Sequence, residues 1–232
     1  MKKNFIKKPV LLLAAAIVLL LASAAGSTQA ALTYYSENYN AEVSVSELDV
    51  TLQTVDSQNQ VVQAQQLELA GNADLIPGKT YEKDYSVKNS GAIDAYIRVI
   101  VTKSWKDATG KKDSQLTPAY IEIKVPENSG WIKDEAASTA EREVYYYENV
   151  LPASSEESVL VIDSFRVNPV IAKELIQKTN GNEVSYAYKY AGYKCAVEVE
   201  VDAVQTHNAV DAIKSAWGVD AAVASNGKLS LK

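Results

Sequence analysis

From about residue 42 to residue 204 the chain alternates apolar and polar positions with the period of two that marks half-buried strands. Glu42 to Leu52 opens the series. Val43 and Val45 share one face, and Leu48, Val50 and Leu52 rejoin it after a one-residue slip, which predicts a β-bulge near Ser46-Glu47. Leu75-Ile76-Pro77-Gly78 reads as a turn, Tyr81 to Val87 as a strand, and Asn89-Ser90-Gly91 as the turn that closes it, since Asn and Gly tolerate positive φ. Ala95 to Trp105 is the clearest strand. Ala95, Ile97, Val99 and Val101 take one face, and Tyr96, Arg98, Ile100 and Thr102 the other. Both faces are partly apolar, so this strand is expected at the centre of a sheet.

Ala108-Thr109-Gly110-Lys111 reads as a loop tip. Tyr120–Val125, Glu143–Tyr147 and Val159–Val167 continue the strands, the last two joined through Leu151-Pro152-Ala153-Ser154. Lys194–Val204 ends the series with Val197, Val199, Val201 and Ala203 inward and Glu198, Glu200 and Asp202 outward. Two helices are expected between and after these strands. Asn168 would cap one beginning at Pro169, with Val170, Ile171, Leu175 and Ile176 as its apolar stripe and Asn180-Gly181 as its stop. Asn208 and Asp211 stand three apart like a capping box. Val210, Ile213 and Trp217 would form one face of that helix, and Gly218 its end. Ala221 to Lys232 is small and polar and is expected to be a flexible tail. Seven or eight short strands without βα alternation predict an all-β fold, an antiparallel β-sandwich over residues 46–220 with one or two short inserted helices.

The first 31 residues change the picture of where this fold works. Lys2, Lys3, Lys7 and Lys8 precede thirteen uncharged residues, Val10 to Ala22, and small residues follow. This is the layout of a secretory signal peptide. A membrane-spanning helix needs about 20 apolar residues, so the run is short for an anchor. Cleavage is expected between Ala30 and Ala31, with Ala22-Ser23-Ala24 as the alternative. The expected product is exported and extracellular, in the matrix or at the cell surface, with the membrane as a partner only of the precursor. Residues 1–30 carry four Lys and no acid, so the 23 basic residues fall to 19 against 29 acids, a net charge of −10. Nucleic acids and anionic lipid need basic patches and are poor partners for such a surface.

Candidate chemistry is sparse. The single cysteine, Cys195, cannot close an internal disulfide, and its parity with Val197, Val199 and Val201 marks it as a small buried apolar residue. The single histidine, His207, rules out a two-histidine zinc site. It lies at a strand-to-helix junction, and no Gly-x-Ser-x-Gly elbow or phosphate-binding Gly-rich loop occurs. Glu198, Glu200 and Asp202 are the nearest approach to a calcium cluster, but such alternation normally marks a solvated strand face. No catalytic, metal or cofactor residue is expected. Leu151-Pro152-Ala153-Ser154-Ser155 begins like a sorting signal but lacks its Thr-Gly end. Tyrosine, at 14 residues, clusters at Tyr34, Tyr35 and Tyr39, at Tyr145 to Tyr147, and at Tyr186, Tyr188, Tyr190 and Tyr193. Such clusters serve strand faces, sugar stacking or protein interfaces.

Three stretches together resemble a known family. Gly26-Ser27-Thr28-Gln29-Ala30-Ala31-Leu32-Thr33-Tyr34-Tyr35 is similar to the processing region of substrates of the SipW-type signal peptidase, with Gly-Ser-Thr in place of a tight Gly-Thr. Leu75-Ile76-Pro77-Gly78, followed by Val87-Lys88-Asn89-Ser90-Gly91 and Ala95-Tyr96-Ile97-Arg98-Val99, resembles the core of the TasA/camelysin-type secreted proteins of Gram-positive bacteria. Val201-Asp202-Ala203-Val204-Gln205-Thr206-His207-Asn208, leading to Ala216-Trp217, is similar to the ending of many members. Residues 106–190 add little to the resemblance.

The resemblance implies a jelly-roll-like sandwich and a role as a subunit of an extracellular fibre or biofilm matrix. Its partners would be a SipW-type peptidase and copies of itself or related matrix subunits. It further implies that residues 31–45 act as a donor strand once freed, with Leu32, Tyr34, Tyr35, Tyr39, Val43 and Val45 as contacts. The metallopeptidase label of camelysin-type members does not transfer to a chain with one histidine and no zinc motif. The competing expectation is a monomeric surface module for carbohydrate or a host protein, using the tyrosine clusters or loops near Trp105 and Trp131. A peptidase is the weakest reading.

Overall fold

The computed structural model describes residues 48–56, 58, 60–64, 75–154 and 156–232. The chain divides into two compact units, Met1–Val45 and Ser46–Lys232, and the described residues all belong to the second. The signal-peptide, cleavage and donor-strand expectations, and the bulge at Ser46-Glu47, lie outside the described residues.

Two antiparallel sheets face each other across one core. The first contains β1 (Val50–Val55), β2 (Val61–Gln63), β3 (Thr80–Asn89), β5 (Ile121–Lys124) and β8 (Ser158–Val167), in the order β2-β1-β3-β8-β5. The second contains β4 (Ala95–Lys106), β6 (Trp131–Lys133), β7 (Arg142–Tyr147) and β11 (Lys194–Gln205), in the order β11-β4-β7-β6. The chain changes sheets at β3–β4, β4–β5, β5–β6, β7–β8 and between β8 and β11, the repeated crossing of a jelly-roll-like sandwich. The inward residues form the main core: Tyr85 and Val87 of β3, Ile97, Val99 and Val101 of β4, Val161 of β8 and Val197 of β11. Val50 and Leu52 pack against it, as the alternation predicts.

β4 occupies the centre of its sheet. It pairs with β11 over its full length, from Ala95 opposite Gln205 to Lys106 opposite Lys194, and with β7 on its other side. Its second face explains why the strand is apolar on both sides. Tyr96 and Ile100 join a second core with Val144 and Tyr146 of β7, and with α1 (Ala209–Trp217) and a closing hairpin, β12 (Ala221–Val223) and β13 (Leu229–Leu231). The second sheet is thus covered on both faces.

Three expectations are corrected. The helix expected from Pro169 is a single 3₁₀ turn, Pro169–Lys173, capped by the Asn168 side chain, which accepts from the Val170 N–H. Beyond it the chain is extended as β9 (Leu175–Asn180) and returns as β10 (Glu183–Tyr188). Asn180-Gly181 is therefore a hairpin signal, with Gly181 at φ +61°, and not a helix stop. The tail expected to be flexible forms β12 and β13, with Ala221 and Leu229 buried in the second core. Helix α1 starts and ends where expected, but Asn208 sits in the left-handed region with no side-chain cap bond. Its buried residues are Ala209 and Ile213, while Val210 faces solvent.

Candidate functional site

The donor contacts Leu32, Tyr34, Tyr35, Tyr39, Val43 and Val45, and the cleavage pair Ala30 and Ala31, are outside the described residues. The described chain picks up beside a firmly held residue. The Asp49 carbonyl accepts from the amides of Ser90 and Gly91, each at 3.0 Å, and its carboxylate accepts from the Ser90 hydroxyl at 2.8 Å. Asp49, just ahead of β1, is therefore tied to the β3–β4 turn.

The described residues of the other two motif stretches pack within the fold, and the two stretches meet. Arg98 on β4 donates to Asp202 on β11 through Nε at 2.9 Å and Nη2 at 2.5 Å. The same guanidinium lies over the Trp217 ring at 5.3 Å, and Trp217 packs on Tyr146 at 5.4 Å. Asn89 is wholly buried and closes its turn with its side chain. Neither Asn89 nor Gly91 adopts positive φ, so the reason for the turn differs from the one the sequence suggests. Gly78 does adopt it, at φ +87°, and donates to the Val167 carbonyl at 2.7 Å.

The residues of the competing readings are mostly engaged in packing. The Trp105 indole is buried and donates to the Thr117 carbonyl at 2.9 Å; that of Trp131 donates to the Leu160 carbonyl at 2.8 Å. Tyr145 and Tyr146 are buried. Cys195 and His207 lie beyond hydrogen-bond reach, since Cys195 is at one end of twelve-residue β11 and His207 follows its other end. At about 3.3 Å per residue the strand alone separates them by roughly 30 Å. Burial pushes the Cys195 thiol up to about 12, against a weaker opposing pull from Lys103, so it is a poor nucleophile. Glu198 and Asp202 are paired with Lys106 and Arg98. Among the described residues no three His, Cys, Asp or Glu side chains gather as metal ligands.

The sequence does not reveal a buried charge cluster on the inner face of the second sheet. Lys103 Nζ lies 2.8 Å from Glu143, the two side chains being 4% and 13% exposed, and the Tyr145 hydroxyl donates to the other Glu143 oxygen at 2.9 Å. Burial, reinforced by Glu143, raises the Tyr145 pKa well above the usual phenol value. Lys103, Glu143 and Tyr145 are bonded to one another, so the cluster reads as a structural network.

What remains available are strand edges. Among the described residues β11 pairs only with β4, and its other side carries no strand. β2 and β5 bound the first sheet, and β9–β10 pairs with neither sheet. Among the described residues no helix is long and apolar enough to cross a membrane. Comparison with protein-family models, curated proteins and solved structures finds no match to this chain.

Proposed function

We propose that the chain is a secreted structural subunit of an extracellular fibre or biofilm matrix. After cleavage at Ala30-Ala31, residues 31–45 add as a strand to a sheet edge of the next copy. The observation that carries this reading is the outer edge of β11, twelve residues long and without a strand partner among the described residues. Such an edge presents about six N–H and six C=O groups to a pairing strand. An added strand gains main-chain hydrogen bonds from them, and alternate side chains supply selectivity. Head-to-tail addition that does not close yields a filament. Asp49, fastened to the Ser90-Gly91 turn, gives the donor segment a fixed root. The inward use of Trp105 and Trp131 weighs against the monomeric binding module.

Negative-stain electron microscopy of residues 31–232 beside residues 41–232 tests the proposal. Filaments from the longer chain and none from the shorter are expected. Monodisperse particles from both overturn it.

A further inference from the structure

The β9–β10 ribbon has a face and an edge that nothing described covers. Its register sets Leu175 opposite Tyr188, Gln177 opposite Tyr186 and Thr179 opposite Val184 on one face. Leu175 is 53% exposed, Val184 51%, Tyr186 66% and Tyr188 61%. A two-stranded ribbon alone is at best marginally stable in water. Natural edge strands are usually blunted by lysine, proline or a bulge. Glu183-Val184-Ser185-Tyr186-Ala187-Tyr188 has no lysine, proline or bulge, and its pairing with β9 is unbroken.

The hydrogen-bond parity of this edge is determined by its root. Lys189 donates its amide to the Glu174 carbonyl at 2.8 Å, in register with the ribbon. Antiparallel alternation then turns Ala187, Ser185 and Glu183 toward β9. It leaves the N–H and C=O groups of Val184 and Tyr186 and the N–H of Tyr188 for a partner, the Tyr188 carbonyl already accepting from the Ala191 amide at 3.2 Å.

We propose that this edge pairs antiparallel with β10 of a second copy, about a two-fold axis at Tyr186. In that register Tyr186 faces Tyr186 of the second copy, and Val184 faces its Tyr188. The two Tyr186 residues then exchange both main-chain hydrogen bonds, and each Tyr188 N–H donates to the Val184 carbonyl opposite it. Glu183 faces Lys189 of the second copy, and the same pair recurs across the axis. Shifting the register by two residues removes the charge match. The outer edge of β9 fits less well, because the register opposing Glu174 to Lys178 sets Leu175 against Gln177 and makes no apolar pair on the Leu175 face. Residues 173–189 hold Lys173, Lys178 and Lys189 against Glu174 and Glu183, so the contact escapes the strongly acidic balance of the whole chain. The product is an isologous four-stranded sheet that leaves β11 free. It stands independently of strand donation and would join two subunits, or two fibres, side by side.

Residues 31–232 carrying Cys195→Ala and Tyr186→Cys test the pairing under mild oxidation. Opposed residues in such a pair lie about 5.5 Å apart at Cα, within disulfide reach. A disulfide-linked dimer is expected with Tyr186→Cys, and not with Gln177→Cys on the same ribbon face. Adding Glu183→Lys should lower the dimer yield roughly tenfold through two like-charge pairs. Mixing that chain with one carrying Lys189→Glu should restore it, since both pairs across the axis become opposite in charge again. No dimer from Tyr186→Cys, equal yield from Gln177→Cys, or no recovery on mixing overturns the pairing.

Discussion

The Asn89 side chain donates to the Leu151 carbonyl at 2.9 Å, joining the end of β3 to a residue 62 positions later. The same amide nitrogen donates to the Ile93 carbonyl at 2.9 Å, and the side-chain oxygen accepts from the Gly91 amide at 3.0 Å. Leu151 in turn exchanges main-chain bonds with Ala95. One buried asparagine thus holds the β3–β4 turn, the start of β4 and the strand-free segment before β8. Asn89→Ala should cost about 2–3 kcal/mol, because the Gly91 amide and the Ile93 carbonyl lose this partner while the Leu151 carbonyl keeps only Ala95. Asn89→Asp should cost at least as much despite its shape, since a carboxylate oxygen would face two carbonyls. Urea denaturation of residues 31–232 measures both.

The Lys103–Glu143 pair invites a double-mutant cycle. Removing one partner strands a charge in a site that excludes water, so Glu143→Ala should cost about 3–5 kcal/mol. Replacing both with apolar residues, Lys103→Met with Glu143→Leu, should recover part of that loss, the Tyr145 hydroxyl being left without its acceptor. Equal destabilisation by the single and double variants would show that the pair itself, and not the unpaired charge, carries the stability.

How far the sequence foretells this structure depends on whether the cause is local. Ala95 to Trp105 is legible because strand alternation is written directly in the side chains, but its apolar second face suggests only a central strand, and the second core it serves appears only in the structure. The turn at Asn89-Ser90-Gly91 is legible as a turn, but its buried side-chain bonds run to Leu151 and are not. Residues 168–180 mislead because Asn168-Pro169 is a true helix start that yields only one 3₁₀ turn. The following Leu175-Ile176 suits a strand as well as a helical stripe, and Asn180-Gly181 then decides for a hairpin. The proposed assembly surface is only half legible. The Tyr186–Tyr188 cluster is visible in the sequence, whereas the parity that aims its backbone outward needs the β9 register.

Alkaline stability should follow the half-buried thiol and the buried phenols. Burial raises Cys195 from an ordinary value of 9.0 to about 12, and it is the chief cause of the raised values of Tyr96, Tyr145, Tyr146 and Tyr190. The folded chain keeps these groups protonated while the unfolded chain releases their protons. Their contribution is complete below about pH 9 and is lost as pH rises toward 12. Urea midpoints should therefore fall from pH 9 upward. Cys195→Ala should flatten the first part of that fall, before the tyrosines titrate near 10. A thiol reagent at pH 8 should label Cys195 slowly until urea is added. Rapid labelling of the folded chain would contradict the burial.

The last twelve residues should behave as part of the core. The Tyr96 hydroxyl donates to the Gly227 carbonyl at 2.8 Å, and the Leu229 amide donates to the Glu148 carbonyl at 2.7 Å. Lys228 adds an ion pair to Glu148 at 2.9 Å. Leu229, 2% exposed, fills the second core beside Ile213 and Tyr146. Deleting residues 221–232 would uncover Tyr96 and the apolar face of α1, and Leu229→Ala alone should cost about 3 kcal/mol. A fraying tail predicts no change from either alteration. Urea denaturation distinguishes the two, and near-ultraviolet circular dichroism of the truncated chain should report loosening around Trp217, whose ring rests on Tyr146 and Arg98. β4 and β11 belong to the main core as well, so the truncated chain should keep its far-ultraviolet strand signal while losing that tryptophan band. A loss of both signals together would mean that the two cores fold as one cooperative unit.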